Sequence, residues 1–546
     1  MVIPRLIALL ILSWIIVGCG GGSSSNSNNP EVVPPPSAEP PPETPPSPDT
    51  VSTQCGSFQG RVEQGVVAFK GIPYARPPVG ELRWQPPAQP ECGEAVQTAF
   101  DFAPSCAQFD REGDIASLAE DCLYLNVWTP DAQFPAIGER PVLVFIHGGG
   151  NQMGSPSQVQ LGLNLYDGAA LAVKTDSVVV TLAYRLGALG YLAHPALSAE
   201  HPQGRSGNYG LQDQLTALHW VQANIARFGG DTEQVAIFGE SAGSRNVCSL
   251  VASPLASGLF SAAIMQSGGC RQQSLADAEA EGITVASAAG CDSASDASCL
   301  RALPVDTLLN ALGPEVTSGA FVGKNIGPIA DGEILPGSPD ELIAAGAHNQ
   351  VPLIIGANAE ETRHWIGASI TESEYRALVY AQFGTNFGNQ VLAQYPVAAY
   401  ESAAAAYTAL STDSQFICPA RRVAQSAALS SQPVYVYRFA RSFESTPLQR
   451  LGAFHGIELF YIFQKVSELE SYPASDTDRA VETTMAQYWS SFARSGNPNG
   501  TDITSADTWE PYSTASDRVL LIDSTASQVA EPRAEQCAFW ASPNSF

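Results

Sequence analysis

Basic residues are scarce in this chain of 546 residues: 27 Lys and Arg stand against 54 Asp and Glu, a formal net charge of −27. That balance argues against nucleic acid as a partner, because a polyanion draws basic surfaces. It favours solubility and says little about fold. Metal-binding patterns are missing too. No C-x-x-C pair and no histidine cluster occurs, so no metal is expected. Histidine is rare, with seven in all, which makes any catalytic imidazole easy to enumerate. The apolar run Leu6 to Val17 is too short for a comfortable membrane span. Beyond Cys55 no stretch resembles a linker.

What is present begins with a processing signal. Arg5 precedes the run Leu6 to Val17, and Ile16-Val17-Gly18-Cys19 is similar to a bacterial lipobox. The likeness implies residues 1–18 as a signal peptide, cleavage before Cys19 and lipidation of its thiol. The expected location is the cell envelope by a lipid anchor. Gly20 after the Cys points to the outer membrane if the source is Gram-negative. Residues 19–54 are then Gly-, Ser-, Asn- and Pro-rich. Such composition cannot bury a core, and its proline run extends at roughly 3.1 Å per residue, so it reads as a tether. Eleven cysteines occur. Setting Cys19 aside leaves an even number in an exported chain, which suggests disulfides.

From Cys55 to Phe546 the chain reads as one domain. Apolar residues make up 45%, enough for a sizeable core. Phe58 to Phe69 reads as a hairpin or two short strands. Pro141–His147, Ser177–Tyr184, Val235–Phe238, Phe260–Gln266, Val351–Gly356, Pro433–Arg438 and Val519–Ile522 read as strands. Asp213 to Arg227 has helical periodicity, with Leu215, Leu218, Val221 and Ile225 on one face. Strands alternating with helices predict an α/β fold with a large, mostly parallel sheet covered on both sides.

One stretch carries the chemistry. Val235-Ala-Ile-Phe238 is a buried strand, Gly239-Glu-Ser-Ala-Gly243 fits G-x-S-x-G, and a helical run follows from Ser244. Strand, tight turn and helix are the context of a nucleophile elbow, which would lift Ser241 Oγ clear of the sheet. A serine hydroxyl needs a base, and the base needs an acid to orient it. With the order serine, acid, histidine, the base is His348, His364 or His455. The strand ending near Gly356 presents Glu360 and Glu361, between which the residues alone do not choose. The triplet Gly148-Gly-Gly150 after His147 can offer backbone N–H groups to an oxyanion, with Ala242 adding another.

Phe69-Lys-Gly-Ile-Pro-Tyr-Ala-Arg-Pro-Pro78, Glu120-Asp-Cys-Leu-Tyr-Leu-Asn-Val127, Gly207-Asn-Tyr-Gly-Leu-Gln-Asp-Gln214, Asn224-Ile-Ala-Arg-Phe-Gly-Gly-Asp231 and the elbow itself resemble the type-B carboxylesterase family, cholinesterases included. The resemblance spans residues 60 to 540. It implies an α/β-hydrolase fold and a serine carboxylesterase without cofactor, acting on small-molecule esters; the tether and the short Cys106–Cys122 segment extend the expectation to polymeric esters. It implies Ser241 as nucleophile, His455 as base, Glu361 as acid, and Gly149, Gly150 and Ala242 as the oxyanion hole. It implies ion pairs Arg76–Glu120 and Arg185–Asp213, and disulfides Cys106–Cys122, Cys291–Cys299 and Cys418–Cys537. The partners of Cys55, Cys92, Cys248 and Cys270 stay open, with Cys55–Cys92 and Cys248–Cys270 as one arrangement.

Three positions depart from the family pattern: Asn151 where an aromatic is common, Thr362 after the acid, and Ser244 in place of a glycine. The Cys106–Cys122 segment is short and has no Trp. That counts against a choline-ester specialist, whose loop Trp would hold the cation, and it implies an open approach to the serine. An amidase or lactonase could use the same triad. A non-catalytic surface binding protein is the alternative of another class, disfavoured because all three triad positions are filled.

Overall fold

The computed structural model describes residues 49–541, apart from 131–133, 135–137, 315–316, 319, 323–324, 367–368, 446–447 and 501–507. The expected signal segment, Cys19 and the tether up to residue 48 lie outside the described residues. Thr50–Thr53 is a strand paired antiparallel with Gly56–Gln59. The folded part therefore reaches upstream of Cys55.

A single sheet of eleven strands forms the frame. In chain order these are β1 (Arg61–Glu63), β2 (Val66–Pro73), β3 (Tyr124–Pro130), β4 (Arg140–Ile146), β5 (Val178–Leu182), β6 (Gly230–Glu240), β7 (Ala262–Gln266), β8 (Leu353–Asn358), β9 (Val434–Phe439), β10 (Arg518–Ile522) and β11 (Ala526–Ala530). Across the sheet they run β1-β2-β3-β5-β4-β6-β7-β8-β9-β10-β11. From β5 to β10 every neighbour is parallel. The edges are antiparallel, β1 to β3 on one side and β11 on the other. Gln64 and Gly65, both at positive φ, make the two-residue turn between β1 and β2.

The central strands are apolar throughout because both faces are covered. Alternate side chains enter different cores. Val144, Ile146, Val180 and Ile237 join one. Leu143, Phe145, Val179 and Phe238 join the other. Burying a side chain of this size is worth roughly 1.5–3 kcal/mol each.

The carboxyl ends of β4, β6, β8 and β9 lead to the Gly148–Gly150 loop, Ser241, Glu361 and His455 respectively. Parallel order thus collects residues distant in sequence at one edge of the sheet. This is where open α/β sheets bind ligands.

Buried Arg185 and Asp213 brace this edge. Arg185 Nε and Nη2 donate to Asp213 Oδ2 and Oδ1, each at 2.8 Å. They fasten the helix Tyr209–Asn224 to the segment after β5. The other expected pair is different. Glu120 accepts two bonds of 2.7 Å from Arg83, whereas Arg76 pairs with exposed Glu91 at 3.2 Å. Arg83 has a second task that explains the choice: its Nη1 donates to the carbonyls of Arg301 and Leu303. All five disulfides form as Cys55–Cys92, Cys106–Cys122, Cys248–Cys270, Cys291–Cys299 and Cys418–Cys537.

Candidate active site

Ser241 sits at φ 59° and ψ −119°, between β6 and the helix Ala242–Ala252. A non-glycine residue there costs on the order of 1–3 kcal/mol and needs its surroundings to enforce it. Those surroundings are visible. Ser241 N donates to Gln266 O at 2.9 Å, and Arg245 N donates to Ser241 O at 3.1 Å. A Cβ on Gly243 would stand 2.0 Å from Ile146 O, and one on Gly239 would stand 2.6 Å from Gly243 O. Only glycine lets the turn pack this tightly onto β4.

The glycine loop lies against the same turn. A Cβ on Gly148 would approach Glu240 O to 2.7 Å and Ser241 Cβ to 3.0 Å. Gly149 and Gly150 take φ of 103° and 65°. Ala242 opens its helix, so its N–H has no intrahelical acceptor. His147, at the root of the loop, is buried and stacks on Tyr184 with ring centroids 4.5 Å apart. Burial lowers its imidazole to about 4, so it stays neutral and acts as a packing element.

The two adjacent carboxylates after β8 are now distinguished. Glu361 is fully buried. Its Oε2 lies 2.7 Å from His455 Nδ1, and its Oε1 accepts from Asn358 N at 2.7 Å. His455 N also donates to Glu361 O at 3.0 Å. Glu360 turns outward to Arg363. His348 is half-buried beside Gln350. His364 packs on Trp365 and Phe454. His455 is the histidine brought to the acid.

Two further carboxylates were not foreseen. Glu240, the residue before the serine, places Oε1 3.1 Å from His455 Nε2. No hydrogen bond joins Ser241 Oγ to His455 Nε2 among the described residues. Glu458, in the first turn of the helix Ile457–Ile462 after His455, accepts from Gln266 Nε2 at 3.2 Å and from Asn358 Nδ2 at 2.5 Å. Burial pushes Glu240 up to about 7, Glu361 adding to the rise while His455 opposes it. Burial, then Glu240 and Glu361, push Glu458 up to about 8. Burial alone would lower His455, but Glu240 and Glu361 outweigh it and raise the imidazole to about 9. The sequence signal for Glu240 was the variable position inside G-x-S-x-G. For Glu458 it was a carboxylate three residues past the histidine.

Aromatic rings close the site. Trp365 and Phe416 pack on His455 at centroid distances of 5.3 and 4.9 Å. A cavity of about 690 Å³ opens beside Ser241. None of its described lining residues belongs to the Cys106–Cys122 loop.

These features have a known setting. The Carboxylesterase family pattern matches residues 47–540. The chain belongs to the carboxylesterase family. It is 38% identical over 464 residues to the fumonisin B1 esterase of Sphingopyxis macrogoltabida, with 82% of each chain covered. It is 34% identical over 504 residues to the para-nitrobenzyl esterase of Bacillus subtilis, covering 89% of this chain and 97% of that one. The solved structure of a thermophilic PNB esterase superposes with a TM-score of 0.77 at 31% identity, covering 92% of this chain and 100% of the other. This carboxylesterase is thus a serine ester hydrolase of type B on the α/β-hydrolase fold.

The three departures from the family pattern are all absorbed by packing. Asn151 is buried at φ 58°. It accepts from Asn246 Nδ2 at 2.9 Å and donates to Ile326 O at 3.3 Å, so it braces the glycine loop and does not line the cavity. Thr362 Oγ1 lies 2.6 Å from Ser411 Oγ. Ser244 Oγ donates to Gly268 O at 3.3 Å.

Proposed function

We propose that Ser241, His455 and Glu361 carry ester hydrolysis as nucleophile, base and orienting acid. The observation that carries this is the 2.7 Å contact of buried Glu361 with His455 Nδ1, formed at the sheet edge that holds the strained Ser241. Glu361 fixes the tautomer that leaves Nε2 able to take a proton. The hydrogen bond from Ser241 Oγ to His455 Nε2 forms when substrate enters, as catalytic hydrogen bonds are often completed only in the substrate complex. Ser241 Oγ then attacks the ester carbonyl, and His455 takes its proton. The N–H groups of Gly149, Gly150 and Ala242 receive the oxyanion. His455 protonates the departing alcohol. Water repeats the sequence on the acyl-enzyme and frees the acid.

The test is turnover of a short and a long p-nitrophenyl ester by the protein and by Ser241→Ala. Activity that collapses in the variant supports the assignment, and activity that survives there sinks it. The matching amide and lactone, and polyester particles, run in the same assay address those alternatives. Silence on all of them would move weight to a binding role.

The lipobox-like Ile16-Val17-Gly18-Cys19 and the Gly- and Pro-rich run after it support a second part of this reading: an exported enzyme anchored to the cell envelope through lipidated Cys19. Metabolic labelling with an alkynyl fatty acid should mark the wild type and spare Cys19→Ala. Equal labelling of both would refute the anchor.

A further inference from the structure

The lining of the cavity runs against the charge of the chain. Acidic residues outnumber basic ones 54 to 27 overall. Yet the described residues around the cavity beside Ser241 include three arginines, Arg245, Arg271 and Arg422, and one carboxylate, Asp340. Arg245 stands one helical turn past the serine, and its Nη1 reaches Asn325 Oδ1 at 3.5 Å. Arg271 follows Cys270, which the disulfide to Cys248 ties to that same helix. Arg271 is exposed, and no carboxylate comes within 4 Å of its guanidinium among the described residues. Arg422 Nη2 is 3.6 Å from Asp340 Oδ2, beyond good hydrogen-bond distance.

Three like charges around one cavity repel each other, Arg245 from a buried position and Arg271 and Arg422 from exposed ones. A neutral ester would not offset that cost. An anion would, and the guanidinium fork matches a carboxylate with two parallel bonds. An anionic substrate would otherwise be repelled by a protein of this net charge and by the oxyanion forming at Ser241. Local cations remove both objections.

We propose that this cavity selects esters that carry a free carboxylate, with Arg271 and Arg422 binding the anion and Arg245 supporting it from the nucleophile's helix. The proposal rests on the serine-esterase reading above and narrows its substrate class. The bonds made and broken are unchanged. The Ser241 Oγ–acyl bond forms, the ester C–O bond breaks, and the alcohol leaves with the proton from His455. The carboxylate is held and takes no part in the chemistry.

Two matched pairs test it at low salt. The 4-nitrophenyl monoester of adipic acid against its methyl ester places the charge on the acyl side. 4-Acetoxybenzoate against its methyl ester places it on the alcohol side. Titration of Ser241 with a reactive phosphonate counts folded sites in each preparation. The expected result is a kcat/KM preference for the anionic member of at least one pair, by at least about tenfold, the scale of one hydrogen bond to a charged group. That ratio should fall in Arg271→Gln and Arg422→Gln, be better kept in Arg271→Lys, and shrink with added salt. Ratios at or below one in both pairs, with the neutral esters turned over, would overturn the proposal and leave the esterase reading intact. A preference that both glutamine variants retain would overturn its assignment to these arginines. Silence on all four esters, with wild type and Ser241→Ala alike, would sink the esterase reading and the proposal together.

Discussion

His455 Nε2 lies 3.1 Å from Glu240 Oε1, while Nδ1 of the same ring lies 2.7 Å from Glu361 Oε2. The imidazole is clasped between two buried carboxylates, one on each nitrogen. Both favour its cation, and burial, which opposes it, is outweighed.

That relationship sets the pH profile. A base works only when neutral, so the rising limb of kcat/KM should lie above the value of an ordinary histidine, toward about 9. Glu240→Gln removes the larger of the two attractions. The imidazole then loses its proton at lower pH, and the limb should move to the acid side by about one unit, the scale of a close charge partner. A limb that stays put or moves to higher pH would show that Glu240 does not act on the base.

Glu361→Gln should lower kcat by about 10³–10⁴-fold with little change in KM, because the wrong imidazole tautomer then faces the serine. Glu360→Gln should stay near wild type, since that side chain faces Arg363. Steady-state kinetics on both variants decides which adjacent glutamate is the acid.

Glu458 makes stability depend on pH. Its folded value is raised from 4.5 to about 8, so the native state holds the proton more tightly than the unfolded chain. The contribution is full below about 4.5 and is lost as pH rises toward 8. Melting temperatures of wild type and Glu458→Gln should therefore diverge over that window, with wild type losing ground as pH rises. Parallel curves would exclude a raised carboxyl at this position.

Gly149→Ala would place a Cβ 2.2 Å from Met153 O, at a φ of 103° that alanine avoids. The loop must shift, and kcat should fall by about 10²–10³-fold, as for loss of one oxyanion donor. An unchanged kcat would remove Gly149 from the oxyanion hole.

Cys248–Cys270 closes a sequence separation of 22 residues. Replacing both by alanine should cost about 3 kcal/mol through the unfolded chain. Thermal melting of the double variant under non-reducing conditions checks this; a melting point equal to the wild type's would argue for a strained or redundant link.

The elbow was legible because its signal is local. An apolar strand, two glycines around a serine and a helical run lie within a few residues, and backbone sterics there admit few alternatives. The parallel sheet was legible for a similar reason, since strands buried on both faces are continuous apolar runs. Residues alone left Glu360 and Glu361 equivalent, and likeness to relatives was needed to choose. Likeness misled once: Arg76 and Glu120 were expected as partners, but Arg83 reaches Glu120 while also binding two carbonyls more than 200 positions away.

Glu240 and Glu458 were passed over because nothing in a linear sequence says that two more carboxylates converge on one imidazole. The arginine-lined cavity was hidden for the same reason. Arg245, Arg271 and Arg422 are separated by up to most of two hundred residues, within a strongly acidic composition. What the sequence determined by itself was the part governed by short-range chemistry: strand and helix periodicity, the turn that exposes Ser241, and the supply of cysteines. What only the tertiary structure decided was which distant charges meet. Burial and proximity set their protonation, and both are properties of the folded chain.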